Sequence, residues 1–199
     1  MQIDNFETKA QNWDEGSKRV NNTKTISEAI LENFSLTKEM HILDFGVGTG
    51  LLGFEIAAHV EKVYGVDTSK SMLEKLEEKN TQILSIEAIH QDIIQNPLMH
   101  IFDGVVSSMT LHHIEDLSAF FATIKNNIKE GGFIAIADLE SEDGSFHSDN
   151  TGVFHFGFDK ERLCEVATSC GFKNVCFERI NSIPKPHRDF GIFLLTATA

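Results

Sequence analysis

The chain has 199 residues, enough for one domain with a full core, and its 41% hydrophobic and 24% charged fractions are ordinary for a globular protein. A formal net charge of −13, from 17 basic and 30 acidic residues, repels phosphate backbones and anionic lipid, so neither nucleic acid nor membrane is expected as a partner. No stretch approaches the roughly 18 apolar residues of a membrane span, and the polar, acidic opening MQIDNFETKAQNWDEG lacks a secretory pattern, so a cytoplasmic location is expected.

Apolar runs and helical stretches alternate along the chain. Val20, Ile26, Ile30, Leu31 and Phe34 recur at helical spacing over residues 17–34. A strand is expected at 41–45, a helix at 51–59, a strand at 62–66, and a helix begun by Ser69 or Ser71 through SMLEKLEEK. Residues 83–89 alternate apolar and polar as a strand does, and 102–106 form another. A helix over 117–129 should be broken by Gly131-Gly132 before the strand FIAIADL. The segment DKERLCEVATSCGF reads as a helix stopped by Gly171, and apolar runs near 174–180 and 190–197 complete the chain. Pro97, Pro184 and Pro186 all fall in expected loops.

Such alternation with short connections means parallel pairing and helices on both faces. The last two runs are joined by too few residues for a crossover helix, so they should pair antiparallel. The expected fold is α/β: a doubly wound, mostly parallel, seven-stranded sheet with an antiparallel C-terminal hairpin strand. No linker or repeat divides it, so a single domain is expected over 1–199, with a helical cap or lid over 1–38 and a core over 39–199. Cys164, Cys170 and Cys176 form no Cys-x-x-Cys pair and read as buried, inert thiols.

Ligands of such sheets sit at the carboxyl ends of the strands. The first strand ends in Asp44-Phe45-Gly46-Val47-Gly48-Thr49-Gly50, where glycines at alternate positions let a ligand lie against bare backbone. The second ends in Asp67, whose carboxylate can accept from both hydroxyls of a ribose. The third ends in Gln91-Asp92-Ile93, able to accept from an exocyclic amine and to cover a purine face. Three carboxylates around a glycine cluster suit a cationic sulfonium with a free amino group better than a pyrophosphate.

These segments resemble the class I S-adenosylmethionine-dependent methyltransferases, particularly the small-molecule group. LDFGVGTG is similar to their glycine-rich first motif, VYGVDTSKSML to the acidic second, HQDI to the third, FDGVVSSMTLHHIED to the fourth strand and its loop, and GGFIAIADLE to the fifth. AQNWDEGSKR and FGFDKERLCEVATSCGF also resemble segments of that group, so the likeness runs from about residue 10 to 197. The resemblance implies a Rossmann-like core, S-adenosyl-L-methionine as cofactor and methyl transfer to a small-molecule acceptor. It places Gly46, Gly48 and Gly50 beside the methionine part and Asp44 near its amino group. Asp67 takes the ribose hydroxyls; Thr68 and Met72 flank the adenosine. Asp92 and Ile93 take the adenine amine and ring, and Ser108 lies close to the transferable methyl. Ser108-Met109-Thr110-Leu111 stands where amino-methylating relatives often carry an Asn/Asp-Pro-Pro-aromatic motif, which lowers the expectation of a planar nitrogen acceptor.

Methyl transfer requires alignment, exclusion of water and, for some acceptors, removal of a proton. His113 is the expected base, with His155 second; His112, at the site's rim, His155 and Trp13 are expected to contact the acceptor or form a lid. Structural roles for these histidines and packing for Trp13 are the competing readings. Phe154 to Phe158 either lines the acceptor pocket or anchors the loop. His112, His113, His147, His155 and Asp149 invite a metal, but adjacent histidines on one loop rarely ligate one ion, so none is expected. Monomer and homodimer are both compatible. Two alternatives stay open. Gly48, Gly50 and Gly53 spell G-x-G-x-x-G with Asp67 beyond, as an NAD(P)-dependent oxidoreductase would. A non-catalytic S-adenosylmethionine-binding protein would carry the same cofactor residues.

Overall fold

The computed structural model describes residues 10–15 and 17–199; residues 1–9 and 16 of the expected cap, and the side chain of Ser17, lie outside the described residues. After a 3-10 turn at Trp13–Glu15, five helices and seven strands follow in chain order. They are α1 (Ser17–Asn33), β1 (His41–Phe45), α2 (Leu51–Ala57), β2 (Lys62–Asp67), α3 (Lys70–Lys79), β3 (Ile86–His90), β4 (Phe102–Ser108), α4 (Leu117–Asn126), β5 (Ile128–Leu139), α5 (Lys160–Ser169), β6 (Lys173–Lys185) and β7 (Arg188–Thr198). The strand order is β3-β2-β1-β4-β5-β7-β6; the first five are parallel, and β7 runs antiparallel to both its neighbours. Order reverses between β1 and β4, so the ends of those strands open the crevice where such sheets bind ligands.

Two apolar layers sandwich the sheet. Phe120, Phe121 and Ile124 of α4 and Leu163 and Ala167 of α5 cover one face. Ile26 and Ile30 of α1, Leu52 and Ile56 of α2, and Leu73 and Leu76 of α3 cover the other. This two-sided cover explains why β1 reads HILDF, apolar on both sides of its pleat after the half-buried His41 and with Asp44 as the buried exception. Side-chain oxygens of Ser69, Asp116 and Asp159 accept from backbone amides one turn on and start α3, α4 and α5. Among the described residues, no helix is long and apolar enough to cross a membrane.

Several expected boundaries move. β3 begins at Ile86, not residue 83: the Thr81 hydroxyl and backbone close a turn on Leu84, Asn80 brackets the Ile86 backbone, and Ile83 is left 97% exposed. α4 ends at Asn126, before the glycine pair expected to break it. The Asn127 side chain donates to the carbonyls of Leu98 and His100, both at 2.8 Å, and its own carbonyl accepts from Phe102 N, drawing the chain into the sheet. Gly131 and Gly132 therefore lie inside β5, where the pairing with β4 shifts register. Pro184 lies in β6, paired with Asp189, rather than in a loop; β6 is the sheet's edge, where a missing amide goes unneeded. The thiols are not all buried: Cys164 and Cys170 are half-buried and Cys176 is exposed on β6, and desolvation is the main cause that raises the pKa of each.

Candidate active site

At the end of β1, Gly46, Gly48 and Gly50 adopt φ values of 69°, 53° and 85°, the left-handed region that side chains resist. Gly46 has a second constraint: a Cβ there would lie 2.2 Å from Thr110 Cγ2, so the loop after β4 sits directly on the glycine loop. Gly46 N and Val47 N donate to the Val66 carbonyl, and Gly48 N donates to Asp67 Oδ2 at 2.8 Å. Ser69 N donates to Asp67 Oδ1, also at 2.8 Å, which fixes the carboxylate at the end of β2. Backbone amides thus tie the glycine loop and the second acidic position into one unit.

Asp44 is 1% exposed, and its Oδ2 is buried without a hydrogen-bond partner. Burial first, then the charge of Asp67, pushes its pKa up to about 8, against the opposing pull of the Gly53 amide. Thr68 and Asp92 line a cleft of about 440 Å³ with His90, Gln91, Gln95 and Asn96. Asp92 Oδ1 accepts from the amides of Ile94 and Gln95. Met72 and Ile93 are both buried, in the packed layer beneath these strand ends rather than on an open surface. Trp13 lies under the Arg19 guanidinium, 4.2 Å from its ring centre. Its neighbour Asp14 accepts from the Thr49 hydroxyl and from Lys79 Nζ, both at 2.6 Å, and so binds the N-terminal turn to the glycine loop.

The second half of the crevice forms at β4 and β5. Ser108 ends β4, and Met109 follows with φ 56°, a left-handed conformation uncommon outside glycine and found most often at functional sites. The 3-10 turn Leu111–His113 carries the paired histidines. His112 does not stand at the rim. It is 1% exposed, because Asp138 at the end of β5 accepts from both its backbone amide (3.0 Å) and its Nδ1 (2.8 Å). Its Nε2 is buried without a partner. His113 is half-buried and donates from Nδ1 to the Gly152 carbonyl at 2.7 Å. His155 donates from Nε2 to the Ile114 carbonyl at 2.8 Å, while Phe154 and Phe156 face outward and Phe158 enters the core. Gly157 permits this crossing: its φ is 67°, and a Cβ would fall 2.1 Å from the Glu140 carbonyl oxygen.

His147, from the loop between β5 and α5, completes a histidine group: its ring centre lies 4.9 Å from that of His112 and 6.2 Å from that of His113. Its Nε2 is likewise buried and unpartnered, and burial, then its histidine neighbours, lowers its pKa to about 4. A second cleft, of about 340 Å³, lies between Glu140, Lys160 and Arg179 at the β6 edge.

Residues 42–132 match the methyltransferase domain family. An uncharacterized methyltransferase of Schizosaccharomyces pombe is 29% identical over 163 residues, covering 72% of this chain and 57% of that protein. An O-methyltransferase of Pyrenophora dematioidea is 27% identical over 162 residues, covering 76% of this chain and 61% of its own length. Among solved structures, the DhpI–SAH complex superposes with a TM-score of 0.76 at 16% identity, over 96% of this chain and 92% of that one. Residues 42–132, a little under half of the chain, thus carry a methyltransferase-domain likeness that the two relatives extend at 29% and 27% identity. The chain spans about three fifths of the length of the two curated relatives named here.

The sequence motifs do not single out Asp14, Thr49 or Thr110, and point only faintly to Asp138. A signal existed for the last: one carboxylate in the otherwise apolar run FIAIADL needs a buried partner. Thr110 and Asp14 carried none, since each acts through contacts with the glycine loop or α3 that are distant in sequence.

Proposed function

We propose that this methyltransferase binds S-adenosylmethionine across the ends of β1, β2 and β3 and transfers its methyl group to a small-molecule acceptor held over β4 and β5. The buried carboxyl of Asp44 carries the reading. An unpartnered carboxyl oxygen beside the glycine loop is costly as it stands and would be satisfied by the ammonium of an amino acid moiety. The bare backbone of Gly46, Gly48 and Gly50 fits a ligand passing close above it. Asp67, oriented by two amides, is suited to ribose hydroxyls, and Thr68 and Asp92 line a cleft of the right character for the adenine. Met72 and Ile93 supply the apolar layer beneath, and Ser108 is assigned to the neighbourhood of the transferable methyl.

When bound, S-adenosylmethionine supplies a methyl group on a cationic sulfonium, a strong electrophile that needs no covalent help from the enzyme. The chain's own task is to align the acceptor, exclude water and hold or remove a proton. The N-terminal turn, pinned to the glycine loop through Asp14, supports the assignment of the cap to cofactor retention, with Trp13 as part of it. The name of the Pyrenophora relative supports an oxygen acceptor. The charge of −13 supports an acceptor other than nucleic acid.

Calorimetric titration with S-adenosylmethionine and, separately, with NADPH tests this reading. Micromolar binding of the first alone, lost in Asp67→Ala, is expected. A folded protein that binds NADPH and not S-adenosylmethionine would sink it.

A further inference from the structure

The sequence points to His113 as the base, yet the structure gives the stronger arrangement to its neighbour. His112 Nδ1 faces Asp138 at 2.8 Å. Asp138 receives three donors in all: Nδ1 and the backbone amide of His112, and the amide of Leu139 at 2.7 Å. A carboxylate surrounded by donors has no role left except acceptor, so the Nδ1 of His112 carries a proton, and in the neutral ring its Nε2 presents a bare lone pair. That lone pair is buried with no partner. His113, by contrast, has Nδ1 on the Gly152 carbonyl, which orients a ring but stabilises an imidazolium less than a carboxylate does.

What stands near this lone pair defines what it can meet. The groups packed around His112 are Asp138 from β5, His113 from its own turn and His147 from the loop over residues 141–157. Phe146 meets the His147 ring edge-on at 4.8 Å and packs on Phe190. Thr110, two residues before His112, touches Gly46, so the pair adjoins the glycine loop. The site is therefore aromatic-walled, next to the cofactor loop, and offers two buried imidazole nitrogens without partners. The covering loop has no helix or strand of its own, and irregular stretches longer than about 12–15 residues are usually functional or disordered.

We propose that His112, positioned by Asp138, is the general base of this methyltransferase and that its acceptor is a neutral phenolic or enolic hydroxyl admitted beneath the loop over residues 141–157; this rests on the methyltransferase reading above. The hydroxyl donates its hydrogen bond to His112 Nε2. As the oxygen's electron pair forms the new carbon–oxygen bond, the proton passes to Nε2, and the pair of the breaking carbon–sulfur bond goes to sulfur. Asp138 holds the resulting imidazolium without taking its proton. A carboxylate acceptor has no proton to give and would leave the lone pair of His112 unsatisfied. His147, held neutral by burial, can supply the second polar contact to an acceptor bearing two oxygens.

The full chain labelled with 15N-histidine, with S-adenosylhomocysteine added, tests this by long-range proton–nitrogen NMR, His112→Gln assigning the ring. His112 is expected with Nδ1 protonated and Nε2 in the bare, pyridine-like range. Catechol should shift that Nε2 resonance toward the hydrogen-bonded range; benzoate should leave it in place. Asp138→Asn should let the Nε2-protonated tautomer appear, whereas His113→Gln should not. Turnover of catechol should fall about 100-fold or more in His112→Gln with KM unchanged. A wild-type His112 protonated at Nε2, an Nε2 unmoved by catechol, or a His112→Gln variant with undiminished turnover would each overturn the proposal. Calorimetry on the same sample reports S-adenosylmethionine binding separately, so a failure there strikes the methyltransferase reading and leaves the tautomer result standing.

Discussion

The two halves of the crevice are built on opposite plans. At β1, β2 and β3 the groups assigned to the cofactor are held by backbone amides, from Gly48 and Ser69 on Asp67 and from Ile94 and Gln95 on Asp92. At β4 and β5 the histidines are bound to partners from remote segments: His112 to Asp138, His113 to Gly152, His155 to Ile114. The first plan suits a ligand that never changes, because short loops with fixed amides hold one geometry. The second lets one wall of the pocket be replaced without disturbing the other, since it hangs on a long irregular loop braced against the β6–β7 hairpin by Lys185 on Phe146 and Arg188 on Asp143.

The sharpest way to break the contrast is Asp138→Ala. It strands the buried amide and Nδ1 of His112 together with the Leu139 amide, at about 1–3 kcal/mol for each unsatisfied group. A fall in melting temperature of about 10 °C is expected, measured by thermal unfolding. A loss confined to the acceptor half would show as calorimetric affinity for S-adenosylmethionine kept within about threefold at 20 °C.

Asp44→Asn probes the other half, with the opposite sign. Asp44 holds its proton up to about pH 8 when folded but loses it near pH 4 when unfolded, so this group makes the unliganded fold less stable as pH rises from 4 to 8. The variant should therefore melt higher than wild type at pH 8, by about 5 °C, and equally at pH 4. It should also bind S-adenosylmethionine at least tenfold more weakly, which calorimetry would show.

The pattern of what could be read in advance follows the same division. Strand ends, glycines and acidic positions of the first half are legible because each stands at the end of a strand within a short, glycine-rich or acidic motif. The orientation of His112 is not, since nothing near it in sequence announces that Asp138, on the neighbouring strand, will draw it inward. Boundaries failed for similar reasons. The Thr81 turn and the Asn127 side chain override apolar alternation and helical spacing through specific polar bonds. Pro184 looked like a loop residue because its tolerance depends on β6 being outermost, a property of the assembled sheet.

A milder perturbation is Gly46→Ala, which adds a Cβ against Thr110 and demands a positive φ from alanine. A loss of about 1–2 kcal/mol in stability is expected, with weakened cofactor binding; Thr110→Gly in the same chain should recover part of it by thermal unfolding. The smallest effect should come from His147. Its lowered pKa means the folded loop resists protonation, so this group's contribution is lost as pH falls from about 6.5 to 4. Limited proteolysis within residues 141–157 should accelerate between pH 7 and 5 in wild type and lose that dependence in His147→Phe.

The chain holds a single tryptophan, and that residue sits in the turn whose next member, Asp14, grips Thr49 of the glycine loop. Its indole lies under a guanidinium and beside the place where a nucleoside is expected to enter. If the proposed cofactor binds there, its emission is a built-in optical gauge of that doorway: one indole, set apart from the lone Tyr64 by red-edge excitation, whose signal should follow ligand arrival on the timescale of a stopped-flow mixer.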